Sequence, residues 1–129
     1  MAPMVLSFKQ LEVYQRAFSC AMQIYDLTDR FPKDERFRLT SQIVRSSNSV
    51  CAGISEAWRR RRYKREWINK LNVSEGEASE TQHWLAVALY RTYISEEVAN
   101  VLDAEYEHIL RQLVTMINQV DRWALSLGH

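Results

Sequence analysis

Apolar residues recur along the chain at intervals of three and four, the spacing that gathers them on one side of an α-helix. The first such stretch follows Ser7-Phe8-Lys9-Gln10, which has the form of a capping box at a helix start. It ends at Phe31-Pro32, because the residue before a proline is pushed out of helical geometry. The apolar face of this first predicted helix consists of Leu11, Tyr14, Ala17, Ala21, Ile24, Leu27 and Phe31.

The second predicted helix starts near Arg36 and ends between Trp58 and Tyr63. We place its end there because four successive arginines repel one another, although neither glycine nor proline marks the turn. Its middle is rich in small residues, including Gly53, and glycine costs about 1 kcal/mol relative to alanine inside a helix. Small side chains suit either the close approach of another helix or a solvated polar face. Its apolar positions are Leu39, Ile43, Ser46 or Ser47, Val50, Ile54 and Trp58.

Two longer patterns predict a third and a fourth helix. The third runs from about Lys64 to Thr92, and the fourth follows Ser95, a suitable N-cap, and ends near Gly128. The stripe of the third helix consists of Trp67, Leu71, Ser74, Ala78, Thr81, Leu85, Ala88 and Thr92. The fourth has an unbroken heptad seam of Tyr106, Ile109, Leu113, Met116, Val120, Trp123 and Leu127.

Four amphipathic helices with short connections predict an all-α fold, an antiparallel up-down four-helix bundle in which successive helices are neighbours. The length of 129 residues fits a single domain over residues 1–129. The two cysteines, Cys20 and Cys51, suit reduced thiols. The start of the chain lacks the pattern of a signal peptide, and no segment is apolar enough to span a membrane, so we expect a cytoplasmic protein.

Charge is distributed unevenly along the chain. The stretch from Arg36 to Arg65 contains nine basic residues and one acid, Glu56, so it carries a formal charge of +8, whereas the whole chain carries +1. Six of these cations fall within the seven positions from Arg59 to Arg65. A basic segment of this density in an otherwise acidic chain indicates a polyanion as its partner.

The residues around these cations favour nucleic acid as the polyanion. Arginines neutralise phosphates, and aromatic side chains such as Trp58, Tyr63 and Trp67 can stack on the unpaired bases of RNA or single strands. The alternative is a structural use, because both tryptophans fall on apolar stripes and the arginines can pair with glutamates. The candidate phosphate-binding residues are Arg45, Arg59, Arg60, Arg61, Arg62, Lys64 and Arg65.

Two E-x-x-H motifs suggest a di-metal carboxylate bundle as a further candidate. Glu80 to His83 and Glu105 to His108 have the spacing of ferritin-like ligands, and Glu12 and Glu56 offer more carboxylates. These side chains fall outside the apolar seams, so we predict solvated polar faces there, with no metal and no other cofactor. No nucleotide-binding or nucleophile motif occurs either, and we predict that the protein is not an enzyme.

Four segments resemble the four-helix-bundle proteins of the intervening-sequence type, which are encoded within insertions of bacterial 23S ribosomal RNA genes. They are Phe8–Ala17, Tyr25–Ser46, Ala52–Arg60 and Glu66–Leu89. Together, the Phe-x-x-Leu-x-Val-Tyr opening and the Leu-Thr-Ser-Gln-Ile-x-Arg block are specific to that family. The resemblance implies an antiparallel four-helix bundle, assembled as a homopentamer in the bacterial cytoplasm. It also implies distant kinship with accessory proteins of diversity-generating retroelements, which bind nucleic acid and a reverse transcriptase through basic surfaces.

We therefore expect an oligomeric scaffold that binds nucleic acid, RNA above all, through its basic stretch. The alternative is a protein–protein interaction module, whose arginines meet acidic surfaces of a reverse transcriptase or of a neighbouring subunit. The sequence departs from the family pattern where Cys51 replaces a proline, Gly53 an asparagine and Ala57 a glycine. The last departure removes a helix stop. In addition, Arg59–Arg62 stands where the family has a Gly-Arg turn, so the turn before the third helix is more basic than usual.

Overall fold

The computed structural model describes residues 5–124, and every regular element within them is helical. Four long helices are followed by one short helix: α1 (Glu12–Thr28), α2 (Ser41–Arg59), α3 (Lys64–Tyr90), α4 (Glu96–Asn118) and α5 (Val120–Trp123). α2 packs against α1 and α3, and α4 packs against α3 and α1, so successive helices are neighbours, as predicted. Across residues 5–124, no helix combines the length and the apolar character that a membrane crossing requires.

The chain before α1 confirms the capping box but not the helix start that it predicts. The Ser7 hydroxyl accepts a hydrogen bond from the Lys9 amide at 3.2 Å, and the Gln10 side chain accepts one from the Ser7 amide at 3.1 Å. This box caps a single 3-10 turn, after which Leu11 has extended backbone angles. α1 therefore begins at Glu12. Leu11 is nevertheless buried, in agreement with its place on the predicted apolar face.

α1 ends at Thr28 rather than at Phe31. The carbonyl of Tyr25 accepts hydrogen bonds from the Thr28 hydroxyl at 2.9 Å and from the Asp29 amide at 3.3 Å, which close the last turn of the helix. Phe31 lies beyond the helix but stays buried, and its ring centroid is 5.5 Å from that of Tyr93. The proline thus marks the connection to α2 rather than the last helical turn of α1.

The connection to α2 contains a buried carboxylate. The predicted start at Arg36 is a π-helical turn in which Arg38 leaves helical geometry, and the regular helix begins at Ser41. Glu35 is buried beneath this turn, where its Oε2 accepts a hydrogen bond from the Tyr93 hydroxyl at 2.7 Å and its Oε1 lies 3.2 Å from Arg38 Nε. The hydrogen bond from Tyr93, and then the charge of Arg38, lower the pKa of Glu35.

We expect Glu35 to make the stability of the protein depend on pH in acid. Because the pKa of Glu35 is lower in the folded protein than its ordinary value of 4.5, its contribution is complete above that pH and is lost as the pH falls through the folded pKa. Glu35→Gln should lower the free energy of unfolding at about pH 7 and lower it progressively less as the pH falls below 4.5. Urea denaturation across this range measures the difference, and a constant difference would contradict the assignment.

α2 and α3 bury the stripes that the sequence predicts for them. Every predicted position on α2 is buried, and so is every predicted position on α3 from Trp67 to Ala88. The helices approach closely at Gly53, where an added Cβ would lie 3.4 Å from the Lys70 carbonyl oxygen. Opposite Gly53, the Ser74 hydroxyl donates to the Val50 carbonyl of α2 at 3.0 Å. Most of the small residues of α2 are therefore buried in the core or in helix contacts, although Ala52 is exposed.

α3 ends at Tyr90, and Thr92 is exposed, so its predicted place on the buried stripe is wrong. Thr92 has left-handed backbone geometry with φ of 64°. The amides of Thr92 and Tyr93 donate to the carbonyls of Leu89 and Ala88, both at 2.9 Å. These two bonds form a Schellman motif, which closes the helix by turning the chain at Thr92.

α4 follows its predicted N-cap, because the Ser95 hydroxyl accepts a first-turn amide at 3.1 Å. The helix ends at Asn118, and Gln119 leaves helical geometry before the separate helix α5, so the unbroken predicted seam is interrupted. The predicted stop at Gly128 and the seam residue Leu127 lie outside the described residues. The seam residues that α4 buries are Tyr106, Ile109, Leu113 and Met116.

Tyr106, in the core, is one of five residues among 5–124 with a buried side-chain polar atom that lacks a hydrogen-bond partner. Tyr106 is fully buried, and nothing in this part of the chain bonds its hydroxyl. Burial raises the pKa of Cys20 to about 12 and that of Cys51 to about 11, so both thiols are protonated and weakly nucleophilic near neutral pH. Both cysteines are free, as predicted.

Tyr106→Phe should raise the free energy of unfolding by about 1 kcal/mol, because it removes a buried hydroxyl that makes no hydrogen bond and keeps the ring. Urea denaturation of the variant measures the gain. Tyr14→Phe, a change of the same atoms on a partly exposed ring, should have little effect. A loss of stability in Tyr106→Phe would mean that the hydroxyl has a partner in solution.

Candidate nucleic-acid interface

The chain passes from α2 to α3 through a turn that contains neither glycine nor proline. α2 ends at Arg59, within the predicted interval, and α3 begins at Lys64, as predicted. The Arg60 amide donates to the Ala57 carbonyl at 3.1 Å, and the Tyr63 amide donates to the Arg60 carbonyl at 2.9 Å. Main-chain hydrogen bonds therefore close a turn that consists largely of arginine.

The turn and the two helix ends beside it carry six cations, which we call the basic tip: Arg59, Arg60, Arg61, Arg62, Lys64 and Arg65. All except Arg61 are exposed. Within residues 5–124, Arg59, Arg62 and Arg65 have no carboxylate within salt-bridge distance. These three guanidinium groups are therefore available to a ligand from solution.

Two cations of the basic tip already have carboxylates nearby. Arg60 Nη1 lies 3.8 Å from Glu66 Oε1, too far for a hydrogen bond, and Lys64 Nζ lies 2.5 Å from Asp121 Oδ1 in α5. The side chains of all four residues are at least 42% exposed, and exposed pairs of this kind contribute little to stability. A phosphate can displace either carboxylate at small cost.

Arg61 has a structural role. Its Nη1 donates to the Trp58 carbonyl at 2.7 Å, and its guanidinium carbon lies 3.7 Å from the centroid of the Trp58 ring. Desolvation at this half-buried position, and then repulsion from Arg59, lower its pKa. Arg61 therefore covers Trp58 and holds the end of α2, and it is the least available cation of the basic tip.

The tryptophans beside the basic tip belong to the core and not to an exposed stacking surface. Trp67 is fully buried and donates from Nε1 to the Met116 carbonyl at 3.2 Å, and Trp58 is 8% exposed. The Trp123 ring of α5 stacks on Trp67 with a centroid distance of 5.9 Å. Tyr63, which is 52% exposed and lies beside Arg62, is the aromatic residue that a base can reach here.

Arg45 does not lie with the other candidates. It is 14 residues before Arg59 on the same helix, a distance of roughly 21 Å along the axis. Its guanidinium binds Glu77 at 3.1 Å and also binds Glu80, two carboxylates of α3. The hydrogen bonds that Arg45 donates to Glu80 and Glu77, together with the negative charges of these glutamates, raise the pKa of Arg45. Arg45 therefore joins two helices and does not lie with the other six candidate residues.

The +8 stretch is divided between the two ends of α2. Arg36 and Arg38 precede the helix, and the basic tip follows it. The Arg36 guanidinium lies 5.3 Å from the Phe37 ring, and Arg38 binds Glu35. A charge pattern that is continuous in sequence becomes two separate basic regions because a helix of this length holds its ends apart.

Comparison with known proteins identifies the family of this chain. A model of the family described as "23S rRNA-intervening sequence protein" matches residues 9–115. The chain belongs to this family.

A solved structure agrees with this assignment. It is a crystal structure of a protein of unknown function from the S23 ribosomal protein family of Bacteroides thetaiotaomicron, with 29% sequence identity and a TM-score of 0.74. The match covers 82% of this chain and 95% of the other. No curated protein matches the sequence.

The E-x-x-H motifs of this intervening-sequence protein are used in other contacts. Glu80 binds Arg45 and accepts a hydrogen bond from Trp84 Nε1 at 3.0 Å, and Glu105 binds Arg16 at 2.7 Å. His83 is exposed. Across residues 5–124 no group of three or more potential ligands comes together. The carboxylates of both motifs therefore serve as partners of arginines.

Sequence patterns do not reveal two of the contacts that the candidate residues make. Asp121 reaches Lys64 from α5, and the separate helix that carries it begins only because Gln119 breaks the heptad seam. Glu77 and Glu80 look like an exposed acidic face in the sequence, yet both bind Arg45 of the same chain. Each contact joins residues far apart in sequence, so helical spacing alone could not predict it.

Proposed function

We propose that this intervening-sequence protein is a cytoplasmic, non-catalytic scaffold that binds nucleic acid, RNA in preference, through its basic tip. One observation carries the proposal: Arg59, Arg62 and Arg65 are exposed at one helix turn, and no carboxylate among residues 5–124 binds them. Unpaired exposed arginines neutralise phosphates and release their counterions, the term that dominates non-specific binding to nucleic acid.

Single-stranded RNA fits the surface better than duplex DNA. Within residues 5–124 no helix presents a row of cations along its length, because the basic tip is a turn with two helix ends and Arg45 is engaged elsewhere. Tyr63 is half exposed beside Arg62, so an unpaired base can stack on its ring while the guanidinium contacts a phosphate.

The proposal includes an antiparallel up-down arrangement of α1 to α4 and a homopentameric assembly, as the resemblance to the family implies. The contact of Lys64 with Asp121 and that of Trp67 with Met116 support the arrangement, since both bring the start of α3 to the end of α4. A ring of identical subunits would repeat the basic tip, and several weak sites on one strand together give high avidity.

Fluorescence anisotropy with single-stranded RNA tests the proposal. We expect binding at about 50 mM salt that weakens by at least tenfold at about 200 mM, the dependence that phosphate contacts produce. Duplex DNA of equal charge should bind more weakly. Absence of RNA binding at the lower salt concentration would contradict the proposal.

A protein partner is the second candidate, and the carboxylates near Arg60 and Lys64 favour it. Glu66 and Asp121 show that acidic side chains can reach these cations in this geometry, as those of a reverse transcriptase or a neighbouring subunit would. A partner that remains bound after nuclease treatment, and that is lost when Arg59, Arg62 and Arg65 are replaced, would favour this candidate over RNA.

A further inference from the structure

A groove of about 470 Å³ lies between the start of α2 and the end of α3. Its volume falls in the range of ligand sites, about 300–1,000 Å³. It is at the opposite end of α2 from the basic tip, so the phosphate contacts proposed above do not involve it. We call it the two-arginine groove, and its walls include Arg38, Leu39, Gln42, Trp84, Val87 and Arg91.

The two arginines of this groove have terminal nitrogens that are free to bond a ligand. Arg38 uses its Nε, which donates to the Asp34 carbonyl at 3.1 Å and lies 3.2 Å from Glu35 Oε1. Its Nη1 and Nη2 donate no hydrogen bond within residues 5–124. Arg91 is exposed and has no carboxylate of the same residue range within salt-bridge distance. Both guanidinium groups are therefore available to an anion from solution.

A buried pair of side chains connects these arginines from beneath. Glu35 binds Arg38, and the Tyr93 hydroxyl donates to Glu35 Oε2 at 2.7 Å. The Tyr93 hydroxyl also lies beside Arg91, and this contact raises the pKa of Arg91. A side chain that is already held by a partner loses less conformational freedom when a ligand binds. The buried pair therefore prepares both cations for an anion.

The charge and the walls of the groove suit a single carboxylate with an apolar neighbour. Glu35 offsets one of the two arginines, so the lining residues carry a net charge of +1, and the exposed Asp34 precedes Glu35 in the chain. A polyanion would meet these carboxylates as well as the arginines. Trp84 and Val87 are half-buried and give the groove an apolar wall above the buried Leu39, which an aliphatic side chain can cover.

Exposed aromatic residues beside the arginines favour a peptide over a small molecule. Phe37 is 82% exposed and precedes Arg38, and Tyr90 is 86% exposed and precedes Arg91. Aromatic and arginine side chains are the types that contribute most to protein interfaces. Small molecules bind where most of their surface can be buried, but both arginines of this groove are exposed. A peptide gains further contacts outside the groove.

We propose that the two-arginine groove binds a short peptide segment of a partner protein in which an acidic side chain lies next to an aliphatic one. The carboxylate of the segment accepts hydrogen bonds from Arg38 and Arg91, and the aliphatic side chain packs on Trp84 and Val87. The Gln42 amide, which both donates and accepts, bonds the peptide backbone. This site is separate from the basic tip and does not depend on RNA binding.

NMR titration of isotope-labelled protein with three peptides of about nine residues tests the inference. The first is a glycine–serine peptide with leucine–glutamate–leucine at its centre. The second has glutamine in place of the glutamate, and the third has serine in place of both leucines. We expect the first peptide to shift the signal of the Trp84 indole N–H and to bind about tenfold more tightly than either of the others, because each of them lacks one of the two contacts.

Arg91→Gln should weaken binding of the first peptide by about tenfold, because it removes one of the two cations that bond the carboxylate. It should leave RNA affinity unchanged, since Arg91 follows the end of α3 and the basic tip lies at the start of that helix. Arg111→Gln is the matched control, because it makes the same change at an exposed position of α4 outside the groove. It should retain the affinity for the peptide.

Equal binding of the first and second peptides, or unchanged binding in Arg91→Gln, would overturn the peptide site. Displacement of the first peptide by single-stranded RNA would also overturn it and would assign the groove to phosphate. Loss of self-association in Arg91→Gln, measured by sedimentation against wild type, would overturn it in favour of a second copy of this chain. RNA binding by the basic tip is measured on its own, so its failure is distinguishable from failure of the groove.

Discussion

Reversing three charges on the basic tip should lower RNA affinity by at least a hundredfold at about 0.1 M salt. The variant carries Arg59→Glu, Arg62→Glu and Arg65→Glu, which change the three tip arginines that no carboxylate binds within residues 5–124. Each phosphate contact on a single strand contributes about 0.7 to the slope of log affinity against log salt concentration. At about 0.1 M salt, the loss of three contacts alone therefore lowers RNA affinity by about two orders of magnitude. Fluorescence anisotropy with single-stranded RNA measures the loss.

Arg61 is left unchanged in this variant because it covers Trp58 and bonds its carbonyl, so its replacement would also disturb folding. The matched control is Arg30→Glu, Lys33→Glu and Arg36→Glu, which makes the same change in net charge before α2. This control should retain most of the affinity, because those residues lie at the other end of α2 from the tip. Equal losses in both variants would mean that net charge, and not the basic tip, determines binding.

Gly53→Leu should lower the free energy of unfolding by about 3 kcal/mol or more. At Gly53 even a Cβ would overlap the hydroxyl of Ser74, and the Lys70 carbonyl lies 3.4 Å from the same point. A leucine there must push α2 and α3 apart along a contact that buries both stripes. Urea denaturation measures the loss, and Gly76→Leu, an exposed position with open space, should not reproduce it.

A double-mutant cycle locates the cause of this effect. Gly53→Ala should destabilise the wild-type protein, because the new methyl group displaces the Ser74 hydroxyl from the Val50 carbonyl. In a Ser74→Ala background the hydroxyl is absent, and the same change should stabilise the protein by about 1 kcal/mol through helix propensity. Equal effects of Gly53→Ala in the two backgrounds would show that the helices are not in contact there.

Positions set by a repeating pattern were predictable from the sequence. The stripe of the second predicted helix, from Leu39 to Trp58, and that on α3, from Trp67 to Ala88, are buried because helical spacing decides which side chains face a neighbouring helix. The Ser95 cap and the start of α3 at Lys64 follow from local sequence in the same way. The family assignment agrees with the resemblance carried by short motifs spread over most of the chain.

Helix ends were less predictable, because several are set by backbone geometry that is compatible with many sequences. The capping box at Ser7 forms, yet Leu11 interrupts the helix after one turn. Gln119 breaks α4 within an intact heptad pattern, and Thr92 adopts a left-handed conformation that usually favours glycine. Neither glutamine nor threonine is a residue type that marks a helix end in a sequence.

Six of the seven candidate residues lie together at the turn after α2, where they are also adjacent in sequence. The seventh candidate, Arg45, is the exception. Arg45 belongs to the same basic stretch, but the rise of the helix carries it away from the tip, and Glu77 and Glu80 of α3 bind it. The density of charge along the sequence therefore overestimates the size of a basic surface when the charged stretch contains a long helix.

The salt dependence of RNA binding by a neutralised tip tests the central claim most directly. Arg59→Gln, Arg62→Gln and Arg65→Gln remove three positive charges and keep hydrogen-bonding side chains of moderate length. We expect the slope of log affinity against log salt concentration to be shallower than that of wild type by about two. A slope equal to that of wild type would show that these arginines do not contact phosphates and would contradict the account.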